Sequence, residues 1–262
     1  MRASTGDIET AWFEVGRGAP LVLVHGLADD HRLWRKVVPD LSVSHRLILY
    51  DLRGHGETTL GAANGTLAQL GEDLVRLLDA LDLEQASVAG YSLGGTIAMQ
   101  VAIANPERVD VIFPIATSSR VGRGVVDWYE ERAGKPEEQL RALIDRDTVE
   151  QYQLAPAELQ AALKVRREAT ADLGGYRNAC RAMAGLNREP LDPRLGEIHA
   201  AALVVSADLD QNCPPRAGEI ITQGIPDARM EIVEGSGHPI PVMRPQELAA
   251  MIESFLREAA TA

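Results

Sequence analysis

Cysteine is almost missing from this chain, with Cys180 and Cys213 the two examples in 262 residues. They lie far apart and without the spacing of metal ligands, so neither a disulfide framework nor a metal site is expected. Long apolar runs are missing as well. No stretch approaches the roughly 18 apolar residues that a membrane span requires, and the opening Met1-Arg2-Ala3-Ser4-Thr5-Gly6-Asp7 carries no apolar leader core, which leads us to expect a cytoplasmic protein with no membrane partner. Positive charge is in deficit: 26 Lys and Arg stand against 38 Asp and Glu, a formal net charge of -12. With no Lys/Arg-rich patch to offset that balance locally, a phosphate backbone would be repelled, so nucleic acid is not an expected partner.

What is present suits an enzyme-sized globular chain, long enough to bury a sizeable core and to carry an inserted lobe. Up to about residue 118, short runs rich in Val, Ile and Leu alternate with segments of helical period, the pattern of a largely parallel sheet covered by helices, so the fold class is α/β. Leu21 to Val24, Leu47 to Tyr50, Ala86 to Ala89 and Val109 to Phe113 read as buried strands. Between them, Leu67, Leu70, Leu74, Leu77, Leu78 and Leu81 recur at spacings of three and four and predict a helix packed on the sheet. From about Ser119 to Leu186 charged amphipathic segments replace the strands, with Pro136 and Pro156 where helices could begin and Gly174-Gly175 marking a turn. Ala202 to Val205 and Met230 to Val233 then resume the sheet, and Pro245 to Leu256 reads as a closing helix. We therefore expect a core built from residues 1–118 and 187–262 and a helical insertion over 119–186.

The sharpest chemical signal is Gly90-Tyr91-Ser92-Leu93-Gly94-Gly95, a G-x-S-x-G between a strand and the helical run Thr96 to Ala104. A nucleophile on so tight a turn has strained backbone angles, and the flanking glycines remove side chains that would collide there. The helix that follows aims its N–H groups at the same place, where negative charge would be stabilised. The plainer alternative is a tight turn with Ser92 as a helix N-cap.

A serine hydroxyl needs a base within reach. Of the six histidines, His238 stands in Gly235-Ser236-Gly237-His238-Pro239, a loop after the last strand that delivers it to the strand ends where Ser92 emerges, whereas His31, His45 and His199 sit in surface settings. A carboxylate must hold the imidazole in one tautomer. Two candidates follow Val205, namely Asp208 and Asp210.

Together, His25-Gly26-Leu27, Asp51-Leu52-Arg53-Gly54-His55-Gly56 and Gly90 to Gly95 resemble the α/β-hydrolases over nearly the whole chain. The order of nucleophile, acid and histidine is that of this fold. The resemblance favours Asp210 as the acid, since an Asp with Pro four residues later (Pro214) is similar to the family's acid loop. It implies an oxyanion hole from the backbone N–H groups of Leu27 and Leu93, and structural roles for His25, Arg53 and His55. Gly26 to Trp34 with Tyr50 to Arg53, and Gly175-Tyr176 through Met183, resemble the 3-oxoadipate enol-lactonase branch more closely, which points to lactones or small esters. Glu57-Thr58 departs from the family pattern without touching a catalytic position.

The resemblance implies acyl transfer to water at Ser92 with no metal or organic cofactor, a small-molecule ester or lactone as partner, and activity that rises with pH as His238 becomes free to act as base. The helical insertion would lie over these residues as a cap, with Trp128, Tyr129, Tyr152, Tyr176 and Met183 as candidates for a substrate pocket. Two other functions use the same fold: cleavage of a carbon–carbon bond beside a ketone, and small-molecule reception without turnover.

Overall fold

The computed structural model describes residues 1–261. Strands β1 (Arg2–Ser4), β2 (Glu9–Val15), β3 (Ala19–Val24), β4 (His45–Tyr50), β5 (Ala86–Tyr91), β6 (Val109–Ile115), β7 (Ala201–Ala207) and β8 (Ala228–Val233) form one sheet in the order β1-β2-β4-β3-β5-β6-β7-β8. The pairs β1–β2 and β2–β4 are antiparallel and the rest are parallel. Helices α1 (Val38–Leu41), α2 (Leu67–Ala80) and α3 (Leu93–Ala104) lie between the early strands. A block of four follows β6: α4 (Arg123–Gly134), α5 (Glu137–Gln151), α6 (Pro156–Ala169) and α7 (Leu173–Gly185). Then come α8 (Pro215–Gly224), α9 (Ile240–Met243) and α10 (Pro245–Ala259).

The period of two along each strand divides the core between the faces of the sheet. Val22, Val24, Ile48 and Tyr50 pack with α2 and α3 through Leu70, Leu74, Leu77 and Ile97. Leu21, Leu23, Leu47 and Leu49 pack on the other face with Trp34, Leu41, Leu248, Ile252 and Phe255. Helix α2 begins where its leucine period does, because the Thr66 side chain accepts from the Gln69 N–H as N-cap. Among the described residues no helix is long and apolar enough to cross a membrane.

Three details differ from the sequence expectations. Strands β1 and β2 carry no dense aliphatic run, since they lie at the sheet edge with much of β2 exposed. Helix α3 starts at Leu93, three residues before Thr96. Gly174-Gly175 is not a turn but the first turn of α7, capped by Asp172, which accepts from the Gly174 N–H at 2.8 Å. The glycine at 175 is there for packing: a Cβ on it would stand 2.1 Å from the Gly54 carbonyl oxygen.

Candidate active site

The carboxyl ends of β3, β5, β7 and β8 all open on one edge of the sheet, where loops in an α/β fold bring reacting groups together. The turn from β5 into α3 is the tightest of these. Ser92 sits at φ 52°, ψ -118°, in the left-handed half of backbone space. Its N–H donates to the Ile115 carbonyl at 2.8 Å, and its own carbonyl accepts from the Thr117 hydroxyl at 2.7 Å and from Gly95 N–H at 2.9 Å. The flanking glycines are sterically required: a Cβ on Gly90 would lie 2.1 Å from the Gly94 oxygen, and one on Gly94 would lie 2.3 Å from the Val24 oxygen.

The loops after β7 and β8 bring Asp210 and His238 to the same point. His238 Nδ1 lies 2.7 Å from Asp210 Oδ2, and its Nε2 lies 3.2 Å from Ser92 Oγ. An ionised carboxylate only accepts, so the Nδ1 hydrogen is directed at Asp210 and Nε2 is left to accept from the serine hydroxyl. The other oxygen of Asp210 accepts from the Asn212 and Cys213 N–H groups at 2.8 and 2.9 Å, which fixes the carboxylate plane. Asp208 does not reach the histidine ring. It is exposed and accepts from the Ser236 N–H at 3.2 Å, and its carboxyl is held below the ordinary carboxylate range by the Gly235 and Ser236 backbone N–H groups.

The loop after β3 reaches Ser92 from the side. Gly26 is so close that a Cβ there would stand 3.3 Å from the Ser92 Cβ. A turn closed by Asp29 N–H on the Gly26 oxygen at 3.3 Å, with Ala28 at φ 64°, follows it. Among the described residues the N–H groups of Leu27 and Leu93 donate to no protein acceptor. His25 shapes this loop: its Nε2 accepts from the Leu52 N–H at 2.9 Å, so the ring hydrogen is on Nδ1, which donates to the Gly26 carbonyl at 2.8 Å. Arg53 is equally structural, bridging Asp73 and Asp7 from a buried position.

Above these groups lies a cavity of about 240 Å³, walled by Ser92, His238 and Leu27 from the sheet side and by α4 to α7 opposite. Of the five residues expected to line a pocket, Trp128, Tyr129 and Tyr176 do so. Met183 does not, and Tyr152 borders a separate, smaller cavity beside Asp29 and Arg166. The Tyr152 hydroxyl is turned to Asp29 (3.3 Å) and Arg166 (3.0 Å), and Met183 packs into the apolar core with α2 and α3 because the period of α7 points it at the sheet. Cys213 also borders the cavity, its thiol pushed up to about 12 by burial and by the adjacent Asp210.

Sequence reasoning missed the charged part of the wall. Arg166 of α6 lines the cavity and donates to Asp29 Oδ1 at 2.6 Å, and Asp147 of α5 lines it while bound to Arg132 at 2.7 Å. The Arg132 guanidinium carbon lies 3.5 Å from the centre of the Trp128 ring, stacking on it. On amphipathic helices such residues look like a solvated face, and nothing local pairs Asp29 with a residue 137 positions away.

Fold and site together define an α/β-hydrolase. The family described as alpha/beta hydrolase fold matches residues 19–245, and the chain belongs to it. Among curated relatives, the chain is 27% identical to the "Putative carbamate hydrolase RutD" of Azorhizobium caulinodans over 98% of each chain. It is also 27% identical to 3-oxoadipate enol-lactonase 1 of Acinetobacter baylyi, over 90% of this chain and 88% of that one. Among solved structures, the enol-lactonase from Burkholderia xenovorans LB400 shares the fold at a TM-score of 0.90 with 24% identity, covering 98% of this chain and all of that one (100%).

Proposed function

We propose that this hydrolase is a serine esterase or lactonase acting through an acyl-enzyme on Ser92. The observation that carries the reading is the continuous chain from Ser92 Oγ through His238 to Asp210, at 3.2 and 2.7 Å, opening on a cavity beside two unspent backbone N–H groups. In the first step Ser92 Oγ bonds to the carbonyl carbon while His238 Nε2 takes its proton. The carbonyl oxygen, now negative, is held by the Leu27 and Leu93 N–H groups. Collapse breaks the bond to the leaving oxygen, which takes the proton from His238. Water then attacks the acyl-enzyme, giving its proton to His238, which returns it to Ser92 as the acid departs. Asp210 holds the ring in the required tautomer throughout.

Residues 119–186 act as the cap in this reading, with Trp128, Tyr129 and Tyr176 forming the apolar wall of the substrate site. The relative named as a carbamate hydrolase supports a second substrate class, since the same steps would open a carbamate. The test is intact-mass labelling with a fluorophosphonate beside turnover of p-nitrophenyl acetate, in wild type and Ser92→Ala. One adduct on Ser92 and turnover lost in the variant is the expected outcome. No adduct, with equal turnover in both proteins, would overturn the serine mechanism.

A further inference from the structure

We propose that Arg166 recognises a carboxylate on the substrate, so that the ester or lactone this enzyme prefers is an anion; this rests on the reading of Ser92 as nucleophile. A guanidinium has five N–H donors in a flat fork. Arg166 is nine-tenths buried, its side chain 10% exposed, and it borders the cavity that Ser92 and His238 share. Among the described residues one of its nitrogens is engaged: Nη1 donates to Asp29 Oδ1 at 2.6 Å and to the Tyr152 hydroxyl at 3.0 Å. The buried Nε has no partner, and Nη2 makes no hydrogen bond among the described residues.

Unspent donors on a buried cation are costly and uncommon, so a group with no protein partner for them points to a ligand that fills them. The protein offers no replacement from the cavity wall. Among the described residues the one carboxylate lining it is Asp147, and both of its oxygens accept from Arg132 Nη2, at 3.0 and 2.7 Å. Nη2 is unpaired and is not among the sealed polar atoms, and with Nε beside it forms the guanidinium edge that takes the two oxygens of a carboxylate side by side. Asp29 occupies the Nη1 end, so it steadies the guanidinium without covering that edge. A neutral ester would leave the same donors unpaired, and sites built around hydrogen bonds discriminate strongly against analogues that lack the partner.

The experiment compares kcat/KM within matched pairs of esters. The first is p-nitrophenyl hydrogen succinate against p-nitrophenyl butyrate, which places the charge on the acyl side. The second is 4-acetoxybenzoate against 4-acetoxybenzamide, which places it on the leaving group. The ratio of anionic to neutral substrate is read within each protein, so a smaller folded fraction cancels. Wild type is expected to favour the anion by about tenfold or more in at least one pair. Arg166→Met should bring that ratio towards one, Arg166→Lys should keep part of it, and Asp29→Asn, which removes the competing carboxylate, should raise it. A wild type that hydrolyses the neutral esters through Ser92 with no preference in either pair, or an unchanged ratio in Arg166→Met and Asp29→Asn, overturns the proposal alone. Absence of any turnover together with absence of a Ser92 adduct overturns the serine reading as well.

Discussion

Helices α3 and α4 are each twelve residues long, yet they are buried to very different degrees. Ten residues of α3 are buried and nearly all are apolar or glycine, whereas the buried residue of α4 is Arg132. The same contrast separates the two walls of the cavity. The sheet side carries Ser92 on a frame of close-packed aliphatic side chains, which has little freedom to move. The α4–α7 side joins a smaller apolar cluster around Leu140, Ile144, Leu173 and Tyr176 to a set of charge pairs: Arg132 to Asp147 within it, and Arg166 to Asp29, Arg32 to Glu168 and Lys36 to Glu158 across to the core. Apolar packing is cheap and undirected. Buried ion pairs contribute little net stability, because desolvation offsets the Coulomb gain, but breaking one leaves a lone buried charge. We expect the first region to tolerate little change around Ser92, and the second to set stability and selectivity locally within α4 to α7.

The largest expected effect lies on the sheet side. Ser92→Ala should lower kcat by up to about 10⁶-fold with the fold intact, measured by ester turnover beside circular dichroism. Next, Asp210→Asn should cost about 10⁴-fold, because the amide cannot hold the same tautomer of His238. Asp208→Asn should change turnover by less than about threefold, since exposed groups outside the reacting chain contribute little. Equal losses in the two aspartate variants would break the distinction between them.

On the other side, Arg132→Met should destabilise the α4–α7 region by up to about 3 kcal/mol, leaving the buried Asp147 only the longer, exposed contact with Arg146 at 3.6 Å. Hydrogen exchange is expected to quicken in α4 and α5 while β5 and β6 stay protected, and the double change with Asp147→Leu should restore much of the loss. Uniform loss of protection across both regions would mean that they unfold as one unit.

A smaller effect separates the core from solvent. Burial, aided by the neighbouring His25 ring, lowers the His55 pKa from 6.5 to about 4. Between those values the unfolded chain binds a proton that the folded chain refuses. Stability conferred by neutral His55 is therefore fully present above pH 6.5 and is lost as pH falls towards 4, by at most about 3 kcal/mol. His55→Gln should flatten the pH dependence of urea unfolding across that window. An unchanged slope would show that His55 takes up its proton in the folded protein.

The parts of the site legible in the sequence are those in which one short segment carries its own geometry. Gly90 to Gly95 implies a strained strand-to-helix turn, because the glycines at 90 and 94 have no room for a side chain, and that turn is present at Ser92. The leucine period of α2 and the aliphatic runs of β3 to β7 place their elements because burial of one face is a local pattern. Met183 and Tyr152 read as pocket residues by type, but the helix phase and a hydroxyl contact turned both away from the cavity. Gly174-Gly175 reads as a turn, and only contact with Gly54, far away in the chain, explains a glycine at 175 within a helix.

The sequence by itself thus determined the α/β class, the helical segment after β6, and the identity of Ser92 and His238 as the groups worth bringing together. Residue type alone left Asp208 and Asp210 equivalent, and only the family resemblance favoured Asp210. Tertiary structure separated them, pointing Asp210 at the imidazole and Asp208 at the backbone of the next loop. It also made the cavity's charged wall, since a pair such as Arg166 and Asp29 exists only once folding removes both partners from water and leaves each as the other's nearest counter-charge.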